Sequence, residues 1–402
     1  MKAYGPYLVR VCHIDGAWRQ VNRIILQKGV PLTTEDKKQE TLETIGCVIH
    51  LTNWRSGPPL PRGYIGMDLK TLQESYIPQY ITSERGGHTY TYGWCARKRF
   101  QVDQVKQAKE KLKEDRVALI QLWNPVSDIE NANPPCINMI LFHRVADVVH
   151  VIVYIRSNDM ARAYPDDVAG INRVFLTEVA SQFRGIRSIG TTTTISASAH
   201  IYKTSEEDVK LALEQNQTPT YTHERTNRIA GPIMLTATTP QSAIKRVRDA
   251  FQRYAEKQDD STKYLYLTLR IEKAEPPPNP PESYYQLLQE LEKYEGKSDE
   301  GERKQVNQIR YVTQKIKTAP QSRRIVVTVN NPKKREFINP LLIQFLPRLG
   351  ENHMIAFYTN VELEQLPIEI QRAAAIQSHI SKKSAIKPGM ITLIITPLLQ
   401  KM

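Results

Sequence analysis

Cysteine is scarce in this chain: four residues in 402, at Cys12, Cys47, Cys95 and Cys136, with no CxxC pair. Such spacing argues against a zinc site or a disulfide framework and points to a reducing compartment. No metal is expected. Long apolar runs are missing too. None approaches the ~18 residues that span a bilayer. The start, MKAYGPYLVRVCHIDG, shows no apolar stretch followed by a small-residue cleavage site. The expectation is a cytoplasmic protein with no signal peptide and no membrane partner. Acidic charge is in deficit, with 42 Asp+Glu against 55 Lys+Arg, a net +13. That field attracts nucleotides, polyglutamate tails or nucleic acid. The basic residues are spread along the whole chain, so charge alone does not choose among these.

What the chain does have is an internal repeat, and its length is enough for two ordinary domains. Residues 5–29 and 231–255 both run from a Gly-Pro through a short strand into an amphipathic helix. Residues 45–61 and 264–281 both read as a strand followed by a proline-rich turn. A helix pattern follows each, at 68–80 and 283–295. Residues 101–125 parallel 305–332, and the apolar strands 137–142 and 148–155 match 341–346 and 352–359. Helix patterns close both copies, at 168–183 and 368–379. The polar stretch 204–228 marks the boundary, giving domains 1–222 and 226–402. Duplicated surfaces are self-complementary, so the copies are expected to pack as an intramolecular pseudo-dimer.

Residues 133–167 organise the first copy. Pro134-Pro135-Cys136 leads into the two β-branched strands, which end at Arg156-Ser157-Asn158-Asp159, with Asp166-Asp167 beyond a proline. A thiol, a fixed cation, a hydroxyl and carboxylates thus stand at the ends of rigid strands, a placement that suits chemistry. Taken alone, a lone cysteine in such a sheet is more often inert.

As a set, these pieces resemble the thymidylate synthase and dCMP hydroxymethylase family. The resemblance runs from about Thr71 to Tyr202 and includes Tyr90 to Gly93 (YTYG), Leu122 to Asn124 (LWN) and His200 to Tyr202 (HIY). In the second copy it rests chiefly on Gln321-Ser322-Arg323-Arg324-Ile325-Val326-Val327. It implies an α+β fold in each copy, a mixed or antiparallel sheet with helices on one face. It also implies one-carbon transfer from 5,10-methylenetetrahydrofolate, or a related pterin, to C5 of a pyrimidine nucleoside 5′-monophosphate. C5 is a poor nucleophile until a thiolate adds at C6, and cysteine is suited to that addition.

The resemblance assigns the addition to Cys136, and the phosphate to Arg156 with Ser157. It gives Glu74 a role in organising proton transfer, which requires a partly desolvated carboxyl. Tyr92 would assist loss of the C5 proton, Asp159 would contact the folate, and His200 with Tyr202 would bind the sugar hydroxyl. Asp167 falls where methylating members usually carry asparagine. An ionised carboxylate cannot donate to O4 of uracil but accepts from the amine of cytosine. The reading leans to (d)CMP hydroxymethylation, with dUMP methylation as the alternative. A shift of one residue would move this role to Asp166, and both aspartates could instead cap the helix that follows.

The two copies have reciprocal losses. Family sites are completed by a Ser-Arg-Arg from the partner subunit. The first copy has Asp115-Arg116-Val117 there, while the second keeps Ser322-Arg323-Arg324. Conversely the second has Asn339 at the expected cysteine position, and Tyr358-Thr359-Asn360-Val361 in place of RSxD. One site is therefore expected, built by the first copy and completed by Arg323 and Arg324. Ile137 stands where histidine commonly follows the cysteine, and no C-terminal flap is evident after Tyr202. For the missing phosphate arginine, Arg55 or Arg62 could substitute. These departures keep open a rival, an inactive nucleotide- or RNA-binding homologue, although nucleic acid is not the favoured partner.

Overall fold

A computed structural model describes residues 5–35, 38–55, 57–183, 188–215, 231–259, 262–334 and 336–401. The chain divides into two compact units, residues 1–123 with 132–229, and residues 124–131 with 230–402. The short segment 124–131 therefore joins the second unit, although the repeat boundaries place it in the first copy. Much of the expected boundary, 216–228, lies outside the described residues.

The first unit is an eight-stranded mixed sheet. Its strands are β1 (Tyr7–Val11), β2 (Val30–Thr33), β3 (Glu40–Leu51), β4 (Val117–Gln121), β5 (Ile137–Val145), β6 (Val148–Ile155), β7 (Asn158–Asp159) and β8 (Ile189–Tyr202). The order is β1-β3-β8-β6-β5-β4, with β2 on β3 and β7 on β8. β1, β6 and β7 pair in parallel, and the β2, β3–β8, β5 and β4 contacts are antiparallel. Helix Ile14–Lys28 buries Ile14, Ala17, Trp18, Val21 and Ile25, the one-sided spacing of an amphipathic helix. That stripe packs with Cys47, Ile49 and Leu51 of β3 and Ala199 and Ile201 of β8. A second cluster joins Val105, Ala108 and Leu112 of helix Gln104–Glu114 to Ile140, Phe142, Val151, Val153 and Ile155. Each such buried aliphatic contributes roughly 1.5–3 kcal/mol.

Two helices of this unit contain wide turns. The pattern at 68–80 forms helix Leu69–Thr71, a π turn Leu72–Tyr76 and helix Pro78–Ile81. The pattern at 168–183 begins earlier than its periodicity suggests, as helix Tyr164–Gly170, followed by a π turn Ile171–Leu176 and helix Thr177–Ala180. Ala163 is the N-cap of this helix, so Asp166 and Asp167 sit in its first turn and do not cap it. Carboxylates there suit the helix dipole.

The second unit repeats the order. Its strands are β9 (Ile233–Ala237), β10 (Glu256–Asp259), β11 (Thr262–Ile271), β12 (Tyr294–Lys297), β13 (Arg303–Val306), β14 (Val326–Val327), β15 (Leu342–Arg348), β16 (Glu351–Tyr358), β17 (Val361–Glu362) and β18 (Lys387–Lys401). The main sheet runs β10-β11-β18-β16-β15-β14, with β9 on β11 and β17 on β18. Every pairing has the same sense as its counterpart in the first unit. Hairpin β12–β13 forms its own small sheet. The long helix Leu366–Ser384 is regular throughout.

Local details match as well. Gln104 bridges helix to strand by donating to Gln121 O and accepting from Gln121 N, and Gln308 does the same with Thr328. His150 and His353 each sit at a register shift beside a glycine, Gly190 or Gly389, and each accepts from the following backbone N–H. A Cβ on either glycine would come within 3.0 Å of the imidazole ring.

Candidate active site

The thiol loop is built from what prolines cannot do. Pro134 and Pro135 lack N–H groups, so they cannot extend the ladder, but their carbonyls remain as acceptors. Arg156, just past β6, takes both: Nε donates to Pro135 O at 2.9 Å and Nη2 to Pro134 O at 2.7 Å. The same Nη2 lies 3.8 Å from Cys136 Sγ. A guanidinium at this distance supplies the electrostatics an attacking thiolate needs. Arg156 N also donates to Cys136 O and to Asn138 Oδ1. Asn138 occupies a register irregularity between Ile137 and Met139. β6 and β8 run parallel, so Cys136, Arg156 and the later part of β8 share one end of the sheet.

Beside the thiol stands a tyrosine cluster. Tyr90 and Tyr92 have ring centroids 5.5 Å apart, and Tyr80 lies 4.9 Å from Tyr92. Cys136, Tyr76, Tyr80, Tyr90 and Tyr92 belong to the same packed cluster. The Tyr76 and Tyr80 hydroxyls both donate to Asp167 Oδ1, at 2.6 and 2.8 Å. Burial pushes the Asp167 carboxyl up to about 6, with the two tyrosine bonds opposing the rise. Tyr92 is raised by burial first, then by the nearby charges of Asp167 and others including Cys136. Tyr90 is raised by burial and by Cys136, with Arg156 opposing. Thiol, cation, tyrosines and carboxylate therefore act on one another in a single neighbourhood.

Asp166 points elsewhere. Its Oδ2 accepts from Tyr64 Oη at 2.7 Å, and burial pushes it up to about 8. Tyr64 Oη also contacts Arg162 O. Asp159 is half-buried and caps a turn, its Oδ1 accepting from Ala161 N and Arg162 N. It neighbours His200 across the β7–β8 ladder, and Met160 N donates to His200 O. His200 meets Tyr202 edge-on at 5.1 Å. Ser157 is half-buried at the end of β6. His200, with Asp159 beside it, thus lies four residues, roughly 13 Å, farther along β8 than the Ile155–Ser196 pair, and Tyr202 lies two residues beyond it.

Glu74 differs from expectation. It sits in the π turn, two residues before Tyr76, and is exposed to solvent. The desolvation a general acid needs is absent at that carboxyl, and Asp167 is the acidic group buried in this cluster. Tyr76, Tyr80, Tyr64 and Asn138 were not singled out by sequence reasoning. The Tyr-x3-Tyr spacing of 76 and 80 is the one signal that could have found the first two. Among the described residues no group of three or more His, Cys, Asp or Glu could hold a metal.

In the second unit, Arg323 is buried and Arg324 half-buried. Gln344 donates to Arg323 O, Tyr311 Oη to Arg324 O, and Arg324 N to Ser322 Oγ. Asn339 Oδ1 accepts from Thr359 N as Asn138 Oδ1 accepts from Arg156 N. Two residues after the helix-opening Pro367, where Asp167 follows Pro165, stands Glu369. It is ion-paired with Arg372, which also donates to Asn339 O at 2.6 Å.

Sequence comparison agrees with this geometry. The family profile described as "Thymidylate synthase" matches residues 32–231. A protein of Methanococcoides burtonii, curated under the name "Putative thymidylate synthase", is 37% identical over 200 residues, covering 48% of this chain and 89% of the relative. One of the same name from Methanosarcina barkeri is 34% identical over 211 residues, covering 48% and 89%. A third, from Methanothermobacter marburgensis, is 28% identical over 221 residues, covering 51% and 96%. Nearly the whole of each relative thus corresponds to about half of this chain. The chain belongs to the thymidylate synthase family.

Proposed function

We propose that the first unit is a one-carbon transferase acting at C5 of a pyrimidine nucleoside 5′-monophosphate, with a lean to hydroxymethylation of (d)CMP. One observation carries this reading: Asp167, which would read the base, is buried and held by two tyrosine hydroxyls in the cluster that packs against Cys136. Both tyrosine bonds fall on Oδ1. Above its midpoint near 6, the carboxylate is an acceptor for the exocyclic amine of cytosine.

Cys136 Sγ adds to C6, and the C5–C6 π electrons shift onto C5 and the conjugated C4–N3 unit, making C5 nucleophilic. A reduced folate, when bound, supplies the carbon. Asp159, fixed by two backbone N–H groups, and the Asp166 carboxyl offer acceptors for the donor edge of a pterin. After the new C–C bond forms, loss of the C5 proton, with help from Tyr92, would accompany breakage of the carbon's bond to the folate nitrogen, so that tetrahydrofolate leaves and an exocyclic methylene remains on the base. Water then adds at the new carbon, and Cys136 departs as the C5–C6 double bond returns. Arg156 stabilises the sulfur on entry and departure. His200 and Tyr202 would hold the sugar.

We further propose that the chain is a tandem duplication folded as a pseudo-dimer, in which Arg323 and Arg324 hold the nucleotide phosphate. The matching strand orders and the paired Gln and His details support the duplication. A second reading, methylation of dUMP, draws on the name of the relatives. It requires a protonated Asp167 that donates to O4.

Tritium release from C5-labelled dCMP, CMP and dUMP, with and without methylenetetrahydrofolate, tests these readings. Release from dCMP or CMP is expected. Release from dUMP alone would overturn the role of Asp167, and none from any nucleotide would leave an inactive binder.

A further inference from the structure

A cavity of about 260 Å³ opens in the first unit on another side of the helix that carries Asp166 and Asp167. It lies between the loop after β3 and the helix, with Trp54, Arg55, Pro58, Val168, Asn172 and Arg173 among its lining. Apart from Arg55, which the sequence offers as a possible phosphate arginine, none of these residues has a role in the chemistry above. Arg55, on the chain's surface, stacks over the Trp54 ring at 5.8 Å.

The polar groups there have one character. Asn172 is fully buried, and its Oδ1 accepts from Thr192 Oγ1 at 2.6 Å. In this orientation Nδ2 is buried with no hydrogen-bond partner. The indole Nε1 of Trp54 is also buried without one. Leaving a buried donor unsatisfied costs about 1–3 kcal/mol, so two at one cavity are not retained by packing alone. Both orphaned groups are donors, and both charged side chains at the rim are guanidinium groups. Pro58, Val168 and Trp54 supply apolar surface.

We infer that this cavity binds a small planar aromatic or conjugated carboxylate, with its ring against Pro58, Val168 and Trp54 and its oxygens toward Asn172 Nδ2, Trp54 Nε1 and Arg173. The volume lies just below the ~300–1,000 Å³ of drug-sized pockets, which restricts the occupant to a small molecule. A neutral amide of the same shape lacks the charge the two arginines select. Inorganic phosphate has the charge but no ring for the apolar wall. The inference stands independently of the reaction proposed above.

Titration of the whole chain with benzoate and nicotinate, followed by calorimetry and tryptophan fluorescence, tests it. Saturable binding is expected, with benzamide and inorganic phosphate at least tenfold weaker. Arg173→Ala, at a half-buried position, should weaken benzoate at least tenfold without changing the unfolding temperature. Asn172→Leu should weaken it at least fivefold. Trp54→Phe should remove the fluorescence response and leave calorimetric binding weakened. Absence of saturable binding, equal binding of benzamide or phosphate, or benzoate binding unchanged by Arg173→Ala would each overturn the assignment.

Discussion

The two units share a strand order, every pairing sense, a glutamine bridge and a bulged histidine, yet they treat the ends of their strands differently. In the first, the strand end carries Arg156 against Pro134, Pro135 and Cys136, and a carboxylate held by two tyrosine hydroxyls. In the second, the carboxylate at the matching place, Glu369, is closed by Arg372, which reaches on to Asn339 O. All four cysteines lie within the first 136 residues. Hairpin β12–β13 precedes helix Gln308–Thr318, as the tyrosine-bearing segment precedes helix Gln104–Glu114. The difference teaches that a buried acid can be kept costly and available, or neutralised and made structural. The strand order is the same in both cases. Wide turns go with the first choice: both π turns of the first unit adjoin the tyrosine–carboxylate cluster, while helix Leu366–Ser384 is unbroken.

The largest expected effect comes from the thiol. Cys136→Ala should reduce turnover by at least about a thousandfold with little change in melting temperature, as rates with C5-labelled nucleotide and calorimetry would show. Equal loss from Arg372→Ala would break the comparison. That variant should instead destabilise the second unit by about 2–3 kcal/mol, because it strands a half-buried glutamate, and leave kcat nearly unchanged.

Asp167→Asn sharpens the contrast. A carboxyl moved from 3.8 to about 6 adds stability fully present below about pH 4 and lost as pH rises through 6. At pH 8 the charged form therefore costs about 3 kcal/mol, some of which the amide recovers. The variant should melt higher at pH 8 than the parent, and the gap should close at pH 4. Its preference should move from cytosine toward uracil nucleotide. In the parent, dCMP exchange should rise as pH climbs through 6. Smaller again is the double variant Arg323→Ala/Arg324→Ala. It should raise the nucleotide KM about 10- to 100-fold, the scale of one or two charge-assisted hydrogen bonds, without unfolding the chain.

How much of this could be read in the sequence follows from where the chain keeps its period. Strands 137–142 and 148–155 were legible because mostly apolar residues line both faces, and β5 and β6 contain them. The strand-end chemistry of Cys136, Arg156 and Asp167 was legible through its motifs. The insertions were not. A π turn adds one residue to a helix and a β-bulge adds one to a strand, and neither changes composition. The π turn at 72–76 made 68–80 look like a plain helix and hid Tyr76 and Tyr80 as partners of Asp167. The exposure of Glu74 could not be read from spacing either.

The most direct test of a single working thiol is covalent trapping. The whole chain, incubated with 5-fluoro-dCMP and methylenetetrahydrofolate, is examined by intact mass and peptide mapping. One adduct per chain on the peptide containing Cys136 is predicted, with formation accelerating as pH rises through 6. No adduct, or an adduct on Cys12, Cys47 or Cys95 in its place, would contradict it.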